Sequence, residues 1–268
     1  MNTQDKQIEH GIFALFKGPS GSGKSVGAMS FPDPIVLDFD RKMPAIALKH
    51  FPKKSIEYCR FEKLEDITKL VDDWVKDKNC PYETVIIDSI TTAALFLIRE
   101  LSEMVGEKTS VQLQSIRKTA KGDSMPDAIN ISIYNHEVRF FNYLLDNFKI
   151  LWSRPGNPKN VIFIAHVIAV ESSPDLKTKL ITKTRSIITA GKKAAAYIPT
   201  EFDNVFNFGF REEGGFPEES TIKHVMISQT IGDDEAKCAY NLARVTDFTN
   251  KPLYDEIQKQ IRGAEIFQ

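Results

Sequence analysis

Gly18-Pro-Ser-Gly-Ser-Gly-Lys-Ser25 follows the pattern G-x-x-x-x-G-K-S. That spacing wraps a backbone around a phosphate chain. Gly18, Gly21 and Gly23 let the chain turn tightly, so that consecutive N–H groups face one anion. Pro19, Ser20 and Ser22 fill the loop, and Val26 follows it. Lys24 can reach the β- and γ-phosphates of a nucleotide, and the Ser25 hydroxyl can hold Mg²⁺. Before the loop, Ile12-Phe-Ala-Leu-Phe16 reads as a buried strand; after it, Lys24 to Ser30 reads as a short helix. Strand, loop and helix form the context this motif requires. Residues Gly18 to Val26 are therefore the candidate nucleotide-binding set.

Outward from the loop, strands and helices alternate. Pro34–Asp40, Ser55–Cys59, Thr84–Asp88 and Asn160–His166 read as strands. Between Glu62 and Asp77, the residues Leu64, Ile67, Leu70, Val71, Trp74 and Val75 recur at helical spacing. Ile90–Val105 and Ile129–Trp152 read as further helices. Such alternation predicts an α/β fold, a P-loop NTPase with a mostly parallel sheet and helices on both faces. Short strands are expected near Asn204–Phe210, His224–Ser228 and Tyr240–Ala243, with a small helix at Lys192–Tyr197 and a last helix at Leu253–Ile261. No linker or repeat divides the chain, so one domain over residues 1–268 is expected, with a flexible start at 1–10. Segments 106–128 and 167–200 read as mobile loops; loops of that length inside a domain are functional or disordered.

Composition narrows the partners. The formal net charge is -1, so contact with nucleic acid needs a locally basic surface. Cys59, Cys80 and Cys238 are scattered and form no C-x-x-C pair, which points away from zinc and disulfides and towards reduced thiols in a cytoplasm. The N-terminus lacks a signal-peptide pattern and no apolar run is long enough to span a bilayer, so a cytoplasmic location without membrane contact is expected.

A phosphate loop alone implies binding, not hydrolysis. Asp88 follows Val85-Ile-Ile87, so it sits on the rim that carries the loop, where a carboxylate can orient Mg²⁺ beside Ser25. Its other reading is a cap for the helix starting at Ile90. Asp38 and Asp40 end the neighbouring strand and, by strand alternation, share a face; Asp40 lies further out and is the better candidate to position the attacking water. His166 ends the strand Val161–Ala165, where it could contact the γ-phosphate or serve only as a structural group. The stretch 177–193 holds Lys177, Lys179, Lys183, Arg185, Lys192 and Lys193 without one acid. It is the candidate phosphate-backbone contact, or else a solvated basic loop. Lys183 or Arg185 could also serve as a finger in trans.

Val36-Leu-Asp-Phe-Asp40 and Val85-Ile-Ile-Asp-Ser-Ile-Thr91 resemble the corresponding strands of RecA-type recombinase cores. The order of Gly18–Ser25, Ile86–Thr91, Ile162–His166 and Ala190–Val205 is similar to that in phage-type AAA/RecA-like ATPases that act as single-strand annealing proteins. The resemblance covers roughly residues 11–245. It implies a RecA-like core, ATP with Mg²⁺, assembly as a homo-oligomer in rings or filaments, single-stranded DNA as partner, a phage-encoded protein in the host cytoplasm, and a sensor role for His166. Lys24, Asp40 and His166 together are the candidate catalytic set. Asp40 departs from the family, which usually carries glutamate there, so its reach is one methylene shorter. Two other readings share the loop: a nucleotide or small-molecule kinase, and a nucleotide-switched assembly module with little turnover. A kinase needs an arginine-rich lid, whereas the basic stretch here is mostly lysine.

Overall fold

The structure is a computed structural model that describes residues 11–76, 78–101, 127–171, 183–189, 191–213, 221–230 and 236–265. The strands are β1 (Phe13–Gly18), β2 (Pro34–Asp38), β3 (Glu57–Cys59), β4 (Thr84–Asp88), β5 (Asn160–Glu171), β6 (Lys183–Ile187), β7 (Asn204–Glu213), β8 (Thr221–Ile227) and β9 (Val245–Asp247). The helices are α1 (Lys24–Met29), α2 (Met43–His50), α3 (Leu64–Val75), α4 (90–101), α5 (Asp127–Trp152), α6 (Lys192–Tyr197) and α7 (Leu253–Glu265), with a 3₁₀ turn at Ile198–Glu201.

One sheet runs in the order β3-β2-β4-β5-β1-β7-β8-β9. The pairs from β3 to β7 are parallel; β8 and β9 close the edge in antiparallel fashion. The central strands are apolar throughout because both of their faces are covered. Their alternation divides the core in two. Phe13, Leu15, Leu37, Ile87, Val161 and Phe163 meet α3, α4, α5 and α6 on one face. Ala14, Phe16, Val36, Ile86, Ile162 and Phe206 meet α1, α2 and α7 on the other. The expected α/β layout with helices on both faces is what the chain adopts.

Four sequence readings change. First, β2 ends at Asp38 and the chain bends: the N–H groups of Phe39 and Asp40 both donate to the Asp88 carbonyl, at 2.8 and 3.2 Å. Asp38 and Asp40 therefore do not share a strand face. Asp38 turns to the start of α2, where its carboxylate accepts from the N–H groups of Lys42 and Met43 at 3.1 and 3.2 Å. Secondly, α2 has no counterpart in the sequence pattern, since only Met43 of its residues is buried. Thirdly, the stretch read as a loop over 167–200 holds the far half of β5, which pairs antiparallel with β6 from Val167↔Ile187 to Glu171↔Lys183. Fourthly, the last short strand is Val245–Asp247, not Tyr240–Ala243, because the Ala243 N–H donates to the Gln260 side chain of α7 at 2.7 Å instead of to a strand. Residues 1–10, most of the 106–128 segment, Lys177 and Lys179 lie outside the described residues.

Candidate functional site

Parallel strands bring their C-terminal ends to one rim. β5 lies between β1 and β4, so His166 stands level with Gly18 and Ile164 level with Asp88. The phosphate loop leaves β1 at this rim. Gly21 and Gly23 take φ of 78° and 89°, a left-handed backbone that a side chain would strain.

Lys24 is the first residue of α1 and is 4% exposed. Its Nζ donates to the carbonyls of Gly18 and Pro19, at 2.9 and 2.7 Å. Burial pushes its pKa down to about 8, although the charges of Asp88 and Asp40 pull the other way. Beside it, the Ser25 hydroxyl donates to Asp88 Oδ2 at 2.6 Å. Burial raises Asp88 to about 6; the Ser25 bond and Lys24 oppose this, and Asp40 and Asp38 add to it. A hydroxyl and a penalised carboxylate side by side, at the mouth of a phosphate loop, fit Mg²⁺ held jointly with a nucleotide. Among the described residues no three His, Cys, Asp or Glu side chains gather as a protein-only metal cage.

Asp40 sits across the rim and is held from several sides. Ser89 Oγ donates to its Oδ1 at 2.9 Å, and Thr92 Oγ1 donates to the same oxygen. His166 Nε2 and Lys42 Nζ stand 3.5 and 3.6 Å from its Oδ2. Burial alone would raise this carboxyl, but the bonds from His166, Thr92 and Ser89 and the Lys42 charge hold it well below the usual carboxylate range. His166 is anchored through its backbone N–H, which donates to Thr91 Oγ1 at 3.1 Å. The cap of α4 is Ser89, whose Oγ accepts from the Thr92 N–H at 3.3 Å, so Asp88 is free of the capping role.

The structure thus brings together Lys24, Ser25, Asp88, Asp40 and His166. The basic residues stand elsewhere. Lys183 and Arg185 lie in β6, and Lys192 and Lys193 open α6, exposed. Sequence reading missed Lys42, Ser89 and Thr92. Ser89, directly before the apolar run from Ile90, was the available signal, since a serine there caps a helix.

A cleft of about 860 Å³ contains the loop and continues past it. Its floor follows α1 through Val26, Gly27 and Ser30. Ile46, His50 and Phe51 line it as well, as do His224 and the turn Phe248–Pro252. That is room for a whole nucleotide, beyond what a phosphate chain needs.

Fold and site together define an α/β P-loop domain with a mostly parallel sheet. The AAA domain family matches residues 11–252, and the chain belongs to that family. Among solved structures it is similar to a KaiC-like protein from the hyperthermophilic archaeon Pyrococcus horikoshii OT3, at 12% identity and a TM-score of 0.44, over 91% of this chain and 88% of that one. It is also similar to the RadB recombinase, at 10% identity and a TM-score of 0.43, over 91% and 89%. No curated protein matches the sequence. Among the described residues no helix is long and apolar enough to cross a membrane.

Proposed function

We propose that this chain binds and hydrolyses ATP with Mg²⁺, and that its nucleotide state governs binding of single-stranded DNA in recombination or replication. The observation that carries the reading is the path of β5. This strand passes between the phosphate loop and Asp88, presents His166 to Asp40, and runs on without a break into the antiparallel pair that holds Lys183 and Arg185.

In this reading the loop N–H groups and Lys24 hold the β- and γ-phosphates. Ser25 and Asp88 hold Mg²⁺, which neutralises phosphate charge when bound. Asp40, kept ionised and fixed by Ser89 and Thr92, orients the attacking water, and transfer of the γ-phosphoryl group to that water yields ADP and phosphate. His166 touches Asp40 and stands level with the loop, so loss of the γ-phosphate reaches β5 through it. Assembly into a ring or filament, implied by the family resemblance, would place such strands in series along one DNA strand.

The test is ATP hydrolysis by the purified protein, with and without single-stranded DNA, at two salt concentrations, beside Lys24→Ala. Turnover that DNA raises, salt weakens and Lys24→Ala abolishes is expected. Equal turnover with and without DNA, together with no DNA binding in ATP, would reject the DNA reading. Phosphate transfer to a nucleoside or nucleotide in place of water would point to a kinase.

A further inference from the structure

Lys42 stands at the wrong end of its helix. The chain leaves β2, takes a left-handed turn at Arg41 with φ of 57°, and enters α2 with Lys42 as the N-cap. Helix starts favour anions, because their free N–H groups carry partial positive charge. Here the first turn has no acid, and the Lys42 side chain makes no capping bond. The cap comes from Asp38 instead, whose carboxylate accepts from the N–H groups of Lys42 and Met43. Lys49 and His50 occupy the other end of α2, where cations are favourable. A cation at position 42 therefore works against α2.

Nor is Lys42 needed to hold Asp40. Ser89, Thr92 and His166 already fix that carboxylate. Lys42 Nζ stands 3.6 Å from Asp40 Oδ2, beyond hydrogen-bond length, and the lysine side chain is 63% exposed against 8% for the aspartate. Open pairs of this kind add little to stability. The side chain does line the cleft, together with Lys24, Ser25, Asp40, Asp88 and His166. A nucleoside triphosphate in the phosphate loop would meet the carboxylates of Asp40 and Asp88, with only Mg²⁺ and Lys24 to offset all that negative charge. During attack the charge spreads over the γ-phosphate oxygens, where a further cation is worth most. Lys24 is tied to the loop carbonyls of Gly18 and Pro19. Lys42 stands beside Asp40, the group that orients the attacking water.

We propose that the Lys42 ammonium contacts the γ-phosphate oxygens of the bound triphosphate and offsets their charge during attack. The proposal rests on the ATP-hydrolysis reading above and adds to that site a second cation from the same chain. In the step, the water oxygen bonds to the γ-phosphorus, and the bond to the bridging oxygen breaks with its electron pair leaving on ADP. One water proton stays on the released phosphate and the other passes to solvent. Calorimetric titrations of the full chain with Mg²⁺ and either ADP or the non-hydrolysable imido analogue of ATP test the contact, beside steady-state ATP turnover. Lys42→Met keeps the stem and removes the charge; Lys42→Arg keeps the charge. Lys42→Met should bind the imido analogue about tenfold more weakly, the worth of one hydrogen bond to a charged group, and bind ADP as the native chain does. Its turnover should fall about 100-fold, as when one donor to a developing charge is removed, and Lys42→Arg should recover part of both losses. Lys49→Met removes a charge from the same cleft at the far end of α2 and should leave the ratio of the two affinities unchanged. Native affinity for both ligands in Lys42→Met would overturn the proposal even if turnover slowed, since the lysine would then act only through Asp40. So would an equal loss of both ligands, the mark of a displaced α2, or an equal change of ratio in Lys49→Met, the mark of general charge. Failure of the native chain to bind either nucleotide would instead reject the nucleotide reading beneath the proposal, and the proposal with it.

Discussion

Lys24 and Asp88 each carry a charge that burial disfavours, and this gives the nucleotide-free protein a pH dependence with a defined sign. Asp88 is raised from 3.8 to about 6. Between those values the folded chain holds a proton that the unfolded chain has released, so stability falls as pH rises through that window and stays reduced above it. Lys24 is lowered from 10.5 to about 8, so its penalty is present below pH 8 and fades as pH climbs towards 10.5. Asp88→Asn is therefore expected to stabilise the ligand-free chain at pH 7, by about 2–4 °C in melting temperature for each kcal/mol recovered. Lys24 loses a partner in this variant, which keeps the gain below that implied by Asp88 alone. Urea unfolding of both proteins at pH 4.5 and 6.5 checks the sign: the variant's advantage should grow with pH, and an advantage that shrinks would refute the assignment. Mg²⁺-dependent nucleotide binding should be lost in the same variant, a trade of function against stability. Thr92 offers a separate test. Thr92→Val removes one of the hydroxyls on Asp40 without touching the loop, so ATP turnover should fall about tenfold while ATP affinity holds. Thr92→Ser should restore turnover, and a Val variant that turns over normally would exclude a positioning role for Thr92.

At the scale of elements, the site depends on how α1 is seated. A Cβ on Gly27 would meet Leu253 Cδ2 of α7 at 2.9 Å and Phe208 Cε1 of β7 at 3.2 Å. The helix that leaves the phosphate loop is thereby pressed between the sheet and α7. Gly27→Val should destabilise the chain by about 1–3 kcal/mol by overpacking and weaken ATP binding with it. Leu253→Ala in the same chain should return part of the loss, and simple additivity of the two changes would refute the contact. These elements differ in how far they could be read from sequence. The strands β1, β2, β4 and β5 announce themselves as continuous apolar runs because both faces are covered. α3 does so by its stripe of Ile67, Val71 and Trp74. Lys24, Ser25 and Asp88 were legible because the loop spacing and a strand end fix their places. α2 was not, because it buries little; Pro44 at its start was the one signal. β6 and β9 were not, because Lys183-Thr-Arg-Ser-Ile187 and Val245-Thr-Asp247 are held by backbone pairing at a sheet edge, which side-chain pattern does not record. The clamp on Asp40 joins Ser89, Thr92 and His166, residues far apart in sequence from it, and spacing cannot supply such contacts.

For the molecule as a whole, charge decides what the DNA reading must look like. A net charge of -1 gives no general attraction for a polyanion, so binding has to come from a few placed cations. Lys192 and Lys193 are the cleanest to test. Both are exposed at the first turn of α6, while Ala194 beside them is buried against the sheet and fixes the helix. Neither lines the nucleotide cleft, so their removal leaves the site intact. Changing both to alanine should weaken binding of single-stranded DNA in ATP and leave ATP affinity as it was. Each phosphate that is no longer neutralised makes the slope of log K against log salt shallower by about 0.7 on a single strand, so the pair should reduce it by about 1.4. Fluorescence anisotropy of a labelled oligonucleotide across a salt series measures both quantities. A fall in affinity with an unchanged slope would mean that the lysines act through structure and not through phosphate. No change in either would move the DNA contact off α6, and the exposed Arg185 on the continuation of β5–β6 would be the next cation to remove.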